Sequence, residues 1–196
     1  SDRFHVPRVN HAVAAMAPHR LCSLTAMAVP HGGRFMAEIG RYPKQLRLSW
    51  YMGFFQLPAL PEKVVRSRDF AFLRRLWRSW SPGWNFSYDD FAPVARTFAQ
   101  PGVVESALAY YRAAVDLRAM LTPGKQPPIF DVPVPTLAMT GEREGCIDAD
   151  VFEAMSRVED FSGGLEVRRV ADAGHFLHRE QPQVVNERII AWLDAH

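Results

Sequence analysis

Strand-like apolar runs occur only towards the two ends of this sequence, and the stretch between them repeats at helical spacing. Leu21-Cys22-Ser23-Leu24-Thr25-Ala26-Met27-Ala28-Val29 is nearly continuous in apolar or small residues and stops at Pro30-His31-Gly32-Gly33, the pattern of a buried parallel strand ending in a loop. Over residues 34–121 such runs vanish, and apolar residues recur at three and four: Leu46, Trp50 and Phe54, then Phe70, Leu73, Leu76, Trp77 and Trp80. Strands return at Val134 to Met139 and at Leu165 to Val170, with helices between and after them. The expected fold class is therefore α/β: two separated pieces, 1–33 and 122–196, join into one mostly parallel sheet, and the helical insertion 34–121 sits above it as a lid.

Local signals divide these blocks further. Phe4-His5-Val6 is a short β-prone run, and Val9, Ala12, Val13 and Met16 recur at helical spacing up to Pro18. Within the insertion, Pro58, Pro61 and Pro82-Gly83 break the helices, and Ser87-Tyr88-Asp89-Asp90 offers a capping box. A second long helix is expected from Pro101 to Leu117, followed by a linker over Thr122-Pro123-Gly124-Lys125-Gln126-Pro127-Pro128. The last helix, from Pro182 through Val185, Ile189, Ile190 and Trp192 to Leu193, carries the apolar stripe of one packed on a sheet.

Composition narrows the function classes. With 48% hydrophobic and 22% charged residues, the 196-residue chain has enough apolar material for one real core. A formal charge of +2, with basic and acidic residues interspersed, argues for neither nucleic acid nor an anionic membrane as partner. Arg66, Arg68, Arg74, Arg75 and Arg78 read as a solvated helix face. The longest apolar stretch, Leu21 to Val29, is too short to span a bilayer, and no signal peptide is visible at the start. Two cysteines, Cys22 and Cys146, do not form the spaced set of a secreted scaffold, so a cytoplasmic location is expected.

Two loops carry candidate chemistry, each leaving the end of an expected strand, where α/β folds present reactive groups. In Ala173-Gly174-His175-Phe176, Gly174 is expected to let the backbone turn sharply and present the His175 imidazole at the sheet edge. In Thr140-Gly141-Glu142-Arg143-Glu144-Gly145-Cys146-Ile147, Glu144 or Glu142 is the carboxylate expected to hold that imidazole's tautomer. The order, acid before histidine, is that of α/β catalytic sites. His175 and His178 lack the spacing and the helix glutamate of a zinc site, so neither a metal nor any other cofactor is expected.

Val29-Pro30-His31, the run Ser49-Trp50-Tyr51-Met52-Gly53-Phe54-Phe55-Gln56-Leu57-Pro58, Tyr110-Tyr111-Arg112, Gly145-Cys146-Ile147 and Gly174-His175-Phe176 stand in an order that resembles the epoxide-hydrolase-like α/β-hydrolases. The resemblance implies a two-step hydrolysis in which an aspartate attacks the substrate and the resulting alkyl ester is cleaved by water. His175 would activate that water, Glu144 would orient His175, and Tyr111 would donate a hydrogen bond to the epoxide oxygen. Trp50, Tyr51 and Phe54, with Phe55, would line the lid side of the cavity for a small apolar substrate. At the place of the family's first ring-polarising tyrosine this sequence has Phe54, and Tyr51, one turn earlier, is the expected substitute.

No Gly-x-Asp-x-Gly or Gly-x-Ser-x-Gly occurs, although the family's nucleophile sits on such a tight strand-to-helix turn. Only Pro7 stands between Phe4-His5-Val6 and the helix after it, and Asp2 precedes that strand. The expectation is a C-terminal fragment of the fold with an unpaired sheet edge, which leaves homo-oligomer formation open. The alternatives are a non-catalytic remnant acting as a binding module, a haloalkane dehalogenase or esterase relative, and a chain completed by another polypeptide.

Overall fold

The computed structural model describes residues 9–114 and 128–196. The expected strand Phe4-His5-Val6, the helix end at 115–117 and the linker up to Pro127 lie outside the described residues. Three strands, β1 (Leu24–Met27), β2 (Thr136–Gly141) and β3 (Leu165–Val170), form a parallel sheet in the order β1-β2-β3. Leu24 to Met27 pair with Thr136 to Met139, and Thr136 to Gly141 pair with Leu165 to Val170.

Every residue of β2 is buried, because the central strand of a parallel sheet is covered on both faces. Leu137 and Met139 face the last helix, Pro182–Ala195, where Val185 is buried and Ile189 and Trp192 pack alongside. Ala138, on the opposite face, belongs to the larger core with Val151, Phe152 and Met155 of the helix Ala149–Met155.

Sequence expectation and ladder differ at two strands. β2 starts two residues later than the apolar run, after Pro135, whose missing N–H cannot join the ladder and whose carbonyl accepts from Leu24. β1 is shorter than Leu21 to Val29 because Ala28 turns to a φ of 57°, left-handed backbone that ends an extended strand.

The helix α1 (Val9–Met16) precedes β1, and between β1 and β2 the described chain forms a succession of helices. These are α2 (Gly32–Glu38), α3 (Pro43–Leu48), α4 (Trp50–Phe54), α5 (Leu60–Arg66), α6 (Ala71–Trp80), α7 (Tyr88–Phe98) and α8 (Val103–Ala114). Ser87 caps α7 and Asp90 returns the bond, the reciprocal capping box. α2 is bound to the sheet side of the molecule, since the Arg34 guanidinium holds both oxygens of buried Asp160 at 2.6 and 2.9 Å and Arg157 reaches Glu38 at 2.6 Å.

Of the five arginines around α6, Arg66 pairs with Glu105 and Arg74 is tied down within its own turn. It bonds the carbonyl and carboxylate of Asp69, within a turn where Arg68, Asp69 and Phe70 all have positive φ. Among the described residues no helix is long and apolar enough to cross a membrane.

Candidate active site

The carboxyl ends of β2 and β3 deliver the two candidate loops side by side. Glu142 N–H bonds the carbonyl of Val170, and Arg143 N–H bonds that of Ala173, so the loops run together from the ladder outward. His175 Nδ1 lies 2.9 Å from Glu144 Oε2 and 3.1 Å from Oε1. The carboxylate can only accept, so Nδ1 carries a proton and donates it. Of the two acids weighed from sequence, Glu142 is exposed and Glu144 is the one that meets the imidazole.

Glu144 has no exposed side-chain surface, yet its charge is well held. Oε1 also accepts from the backbone N–H of Cys146 at 2.7 Å and of Ile147 at 3.3 Å. Burial pushes the His175 imidazolium towards losing its proton, but the Cys146 sulfur and then the Glu144 carboxylate outweigh it and raise its pKa from 6.5 to about 10. His178, in the helix after the loop, shifts the other way, lowered by burial and by Arg179.

The helical insertion grips both loops. The carbonyl of Trp80, at the end of α6, accepts from the N–H of Gly145 at 2.9 Å and from that of His175 at 3.1 Å. From another side, buried Gln45 of α3 donates to the Cys146 carbonyl and accepts from Asp148 N–H, both at 2.9 Å. Gly145 is needed for this approach, because a Cβ there would sit 2.0 Å from the Ser79 carbonyl oxygen. Gly145→Ala is therefore expected to lower the stability by about 2 kcal/mol or more through overpacking against backbone. Chemical denaturation checks the loss, and faster hydrogen exchange at the His175 amide checks that α6 has let go.

The aromatic residues are sorted differently from their expected places. Tyr51 is buried, with its hydroxyl 3.3 Å from Cys146 Sγ and its ring 5.9 Å from that of Tyr111. Trp80 stands 5.1 Å from the His175 ring and 5.1 Å from Tyr51. An apolar cavity of about 160 Å³ opens beside this group, with Tyr111, Trp80, Trp77, Phe55, Leu76 and Leu108 among its lining. Trp50, Tyr51 and Phe54, expected at its lid side, are not in the lining.

Trp50 is 51% exposed, tilted against Phe54 and edge-on to Phe72. The reason is helical phase: Tyr51 and Phe55, one turn apart, share the inward face of α4, which leaves Trp50 and Phe54 to the next one. Arg112 fixes Tyr111 against that face by bonding the carbonyls of Phe55 and Leu57 and the carboxylate of Glu62.

The site residues that sequence reasoning did not single out are Gln45, Trp80, Ser81, Cys146 and Glu180. One carboxylate oxygen of Glu144, Cys146 Sγ and one ring nitrogen of His175 lie within 4.8 Å of one another, whereas the sequence offers Cys146 only within the motif Gly145-Cys146-Ile147, with no role of its own.

The family model described as "Alpha/beta hydrolase family" matches residues 9–188. The chain belongs to the alpha/beta hydrolase family. Within it the chain is epoxide-hydrolase-like. It is 27% identical over 190 residues to Epoxide hydrolase 4 of Homo sapiens, covering 92% of this chain and 49% of that protein. To Epoxide hydrolase 3 of Mus musculus it is 30% identical over 178 residues, 87% of this chain and 46% of that protein.

The chain thus spans about half the length of the curated relatives it matches. Among solved structures, an epoxide hydrolase from Bacillus megaterium superposes with a TM-score of 0.75 at 23% identity, over 94% of this chain and 64% of that one. The Cif epoxide hydrolase from Acinetobacter nosocomialis gives 0.70 at 20%, over 93% and 56%. Both support the fold: a partial, mostly parallel α/β-hydrolase sheet with helices.

Proposed function

We propose that this hydrolase carries the water-activating half of an epoxide hydrolase, with His175 as general base, Glu144 as its orienting carboxylate and Tyr111 as a donor to the epoxide oxygen. The observation that carries the reading is the buried pair His175–Glu144, in contact through Trp80 with an apolar cavity that Tyr111 also lines. On this reading 34–121 is the cap, and 1–33 with 122–196 is the core.

In the first step a carboxylate oxygen, from a residue outside the motifs found here, attacks an epoxide carbon. The C–O bond breaks and the ring oxygen takes a proton from a tyrosine. Tyr111 is the donor, and Tyr51, whose hydroxyl meets Cys146 Sγ, packs ring to ring behind it rather than in the cavity lining. In the second step His175 Nε2 takes a proton from water as that water attacks the ester carbonyl. The acyl–oxygen bond breaks, and the leaving alkoxide takes the proton from the imidazolium to complete the diol. The new carboxyl group gives its proton back to the tyrosinate, so that carboxylate, neutral His175 and tyrosine are all restored. Glu144 keeps the Nδ1 proton in place and stabilises the imidazolium.

The substrate would be small and apolar. A dry cavity near this size holds about one benzene ring, which suits an aryl or short alkyl epoxide. Its two free cysteines, Cys22 exposed and Cys146 buried, suit the cytoplasmic setting we propose.

The test is incubation of the chain, and of the full polypeptide its gene encodes, with styrene oxide. Diol release and intact protein mass are then followed. His175→Gln is expected to abolish diol release while the alkyl-enzyme mass accumulates, because only the second step needs the base. Neither diol nor a mass increase from the full polypeptide would overturn the proposal.

A further inference from the structure

The loop that presents His175 is fixed by a second carboxylate. From His175 the chain enters a four-residue helix, Leu177–Glu180, and Glu180 at its end folds back on the loop. Glu180 Oε2 accepts from Gly174 N–H at 2.9 Å, and Oε1 accepts from Phe176 N–H at 3.2 Å. The amides on either side of His175 are thus held by one side chain, while its own amide is held by the Trp80 carbonyl. All three backbone donors of the segment 174–176 are assigned.

The carboxylate is anchored in turn. Ser81, fully buried at the end of α6, donates its hydroxyl to Glu180 Oε1 at 2.7 Å and accepts from Phe176 N–H at 3.2 Å. Gly174 permits this contact, since a Cβ there would lie 2.7 Å from Ser81 Cα. The sharp turn expected of Gly174 falls instead on Asp172, whose φ is 55°. What Gly174 supplies is closeness.

We infer that Glu180, braced by Ser81, is a positioning residue for His175: it sets the imidazole against Glu144 and locks that geometry to the end of α6. The inference rests on the reading of His175 as the base, and it assigns Glu180 no contact with substrate. A carboxylate suits the task because it offers several acceptor sites, and its charge strengthens each bond. A mere cap on a short helix needs the Phe176 bond alone. The bonds to Gly174 and Ser81 are what reach across the histidine.

The experiment reads the histidine directly in the chain labelled with ¹⁵N-histidine, by the solvent-exchange rate of the His175 Nδ1 proton and by the titration of the ring. In Glu180→Ala that exchange is expected to quicken by roughly tenfold or more, the ratio that loss of one charge-assisted hydrogen bond implies. Glu180→Gln, which keeps one acceptor oxygen, and Ser81→Ala, which removes only the brace, should fall between that variant and the parent chain. Parental exchange and titration in all three, with only the melting temperature lowered, would overturn the inference. Should Glu180→Ala fail to fold, the other two decide on the same criterion. No turnover is required, so a failure of the hydrolase reading leaves this result legible.

Discussion

Replacing Glu144 by alanine is expected to destabilise the chain by about 3–5 kcal/mol, the range seen when one partner of a buried ion pair is removed. The side chain is fully buried and satisfies three donors: the amides of Cys146 and Ile147 and the Nδ1 proton of His175. Deleting it leaves two amides without an acceptor and a buried ring without its counter-charge, where each orphaned donor costs roughly 1–3 kcal/mol. Glu144→Gln should cost less, about 1–3 kcal/mol, because one oxygen still accepts while the new amide group faces a donor. Guanidinium denaturation of the three proteins would measure the series. A loss below about 1 kcal/mol for Glu144→Ala would mean that the pair contributes little to the native state.

The sequence carried the sheet and the strand-end chemistry because both depend on local pattern. β3 runs over Leu165–Val170, the span that its alternation and flanking turns mark out. β2 and β1 are where they are expected, and their ends are moved by single residues, Pro135 and Ala28, through a missing donor and a left-handed φ. The rule that reactive loops leave the carboxyl edge of parallel strands places the loop of His175 and that of Glu142 and Glu144, and leaves open which acid meets the imidazole.

What could not be read is what depends on contacts across the fold. Gln45 meets Cys146 and Asp148 from 101 and 103 positions away, and Ser81 meets Glu180 from 99. Polar pairs at such separation leave no periodic trace. The cavity shows the same limit: helical spacing marks Trp50 as apolar, but only the phase of α4 against its neighbours decides that Trp50 faces out while Phe55 lines the space.

The site is expected to carry a charge that neutral water would not give it. Four groups bear on His175: Glu144 and Cys146 from the loop after β2, the Trp80 ring from α6, and His178 from the helix that follows. Burial works against the imidazolium, and Cys146 and Glu144 more than offset it, so His175 is expected to stay doubly protonated until the pH nears 10. Between pH 6.5 and about 10 the folded chain therefore holds a proton that the unfolded chain has released. That contribution to stability is complete below the unfolded pKa and is lost as the pH rises through the folded one. It is expected to be on the order of a few kcal/mol.

Catalysis by His175 as a base needs the neutral ring, so diol release should climb into the alkaline range. Cys146→Ala removes the larger of the two raising influences and should move both the ring titration and the rising limb of the rate profile to lower pH. Histidine-resolved NMR titration of parent and variant measures the first, and the pH dependence of turnover by the full polypeptide the second. A parent His175 that titrates near 6.5, or one that Cys146→Ala leaves unmoved, would refute this account of the charge, because burial alone acts in the opposite direction.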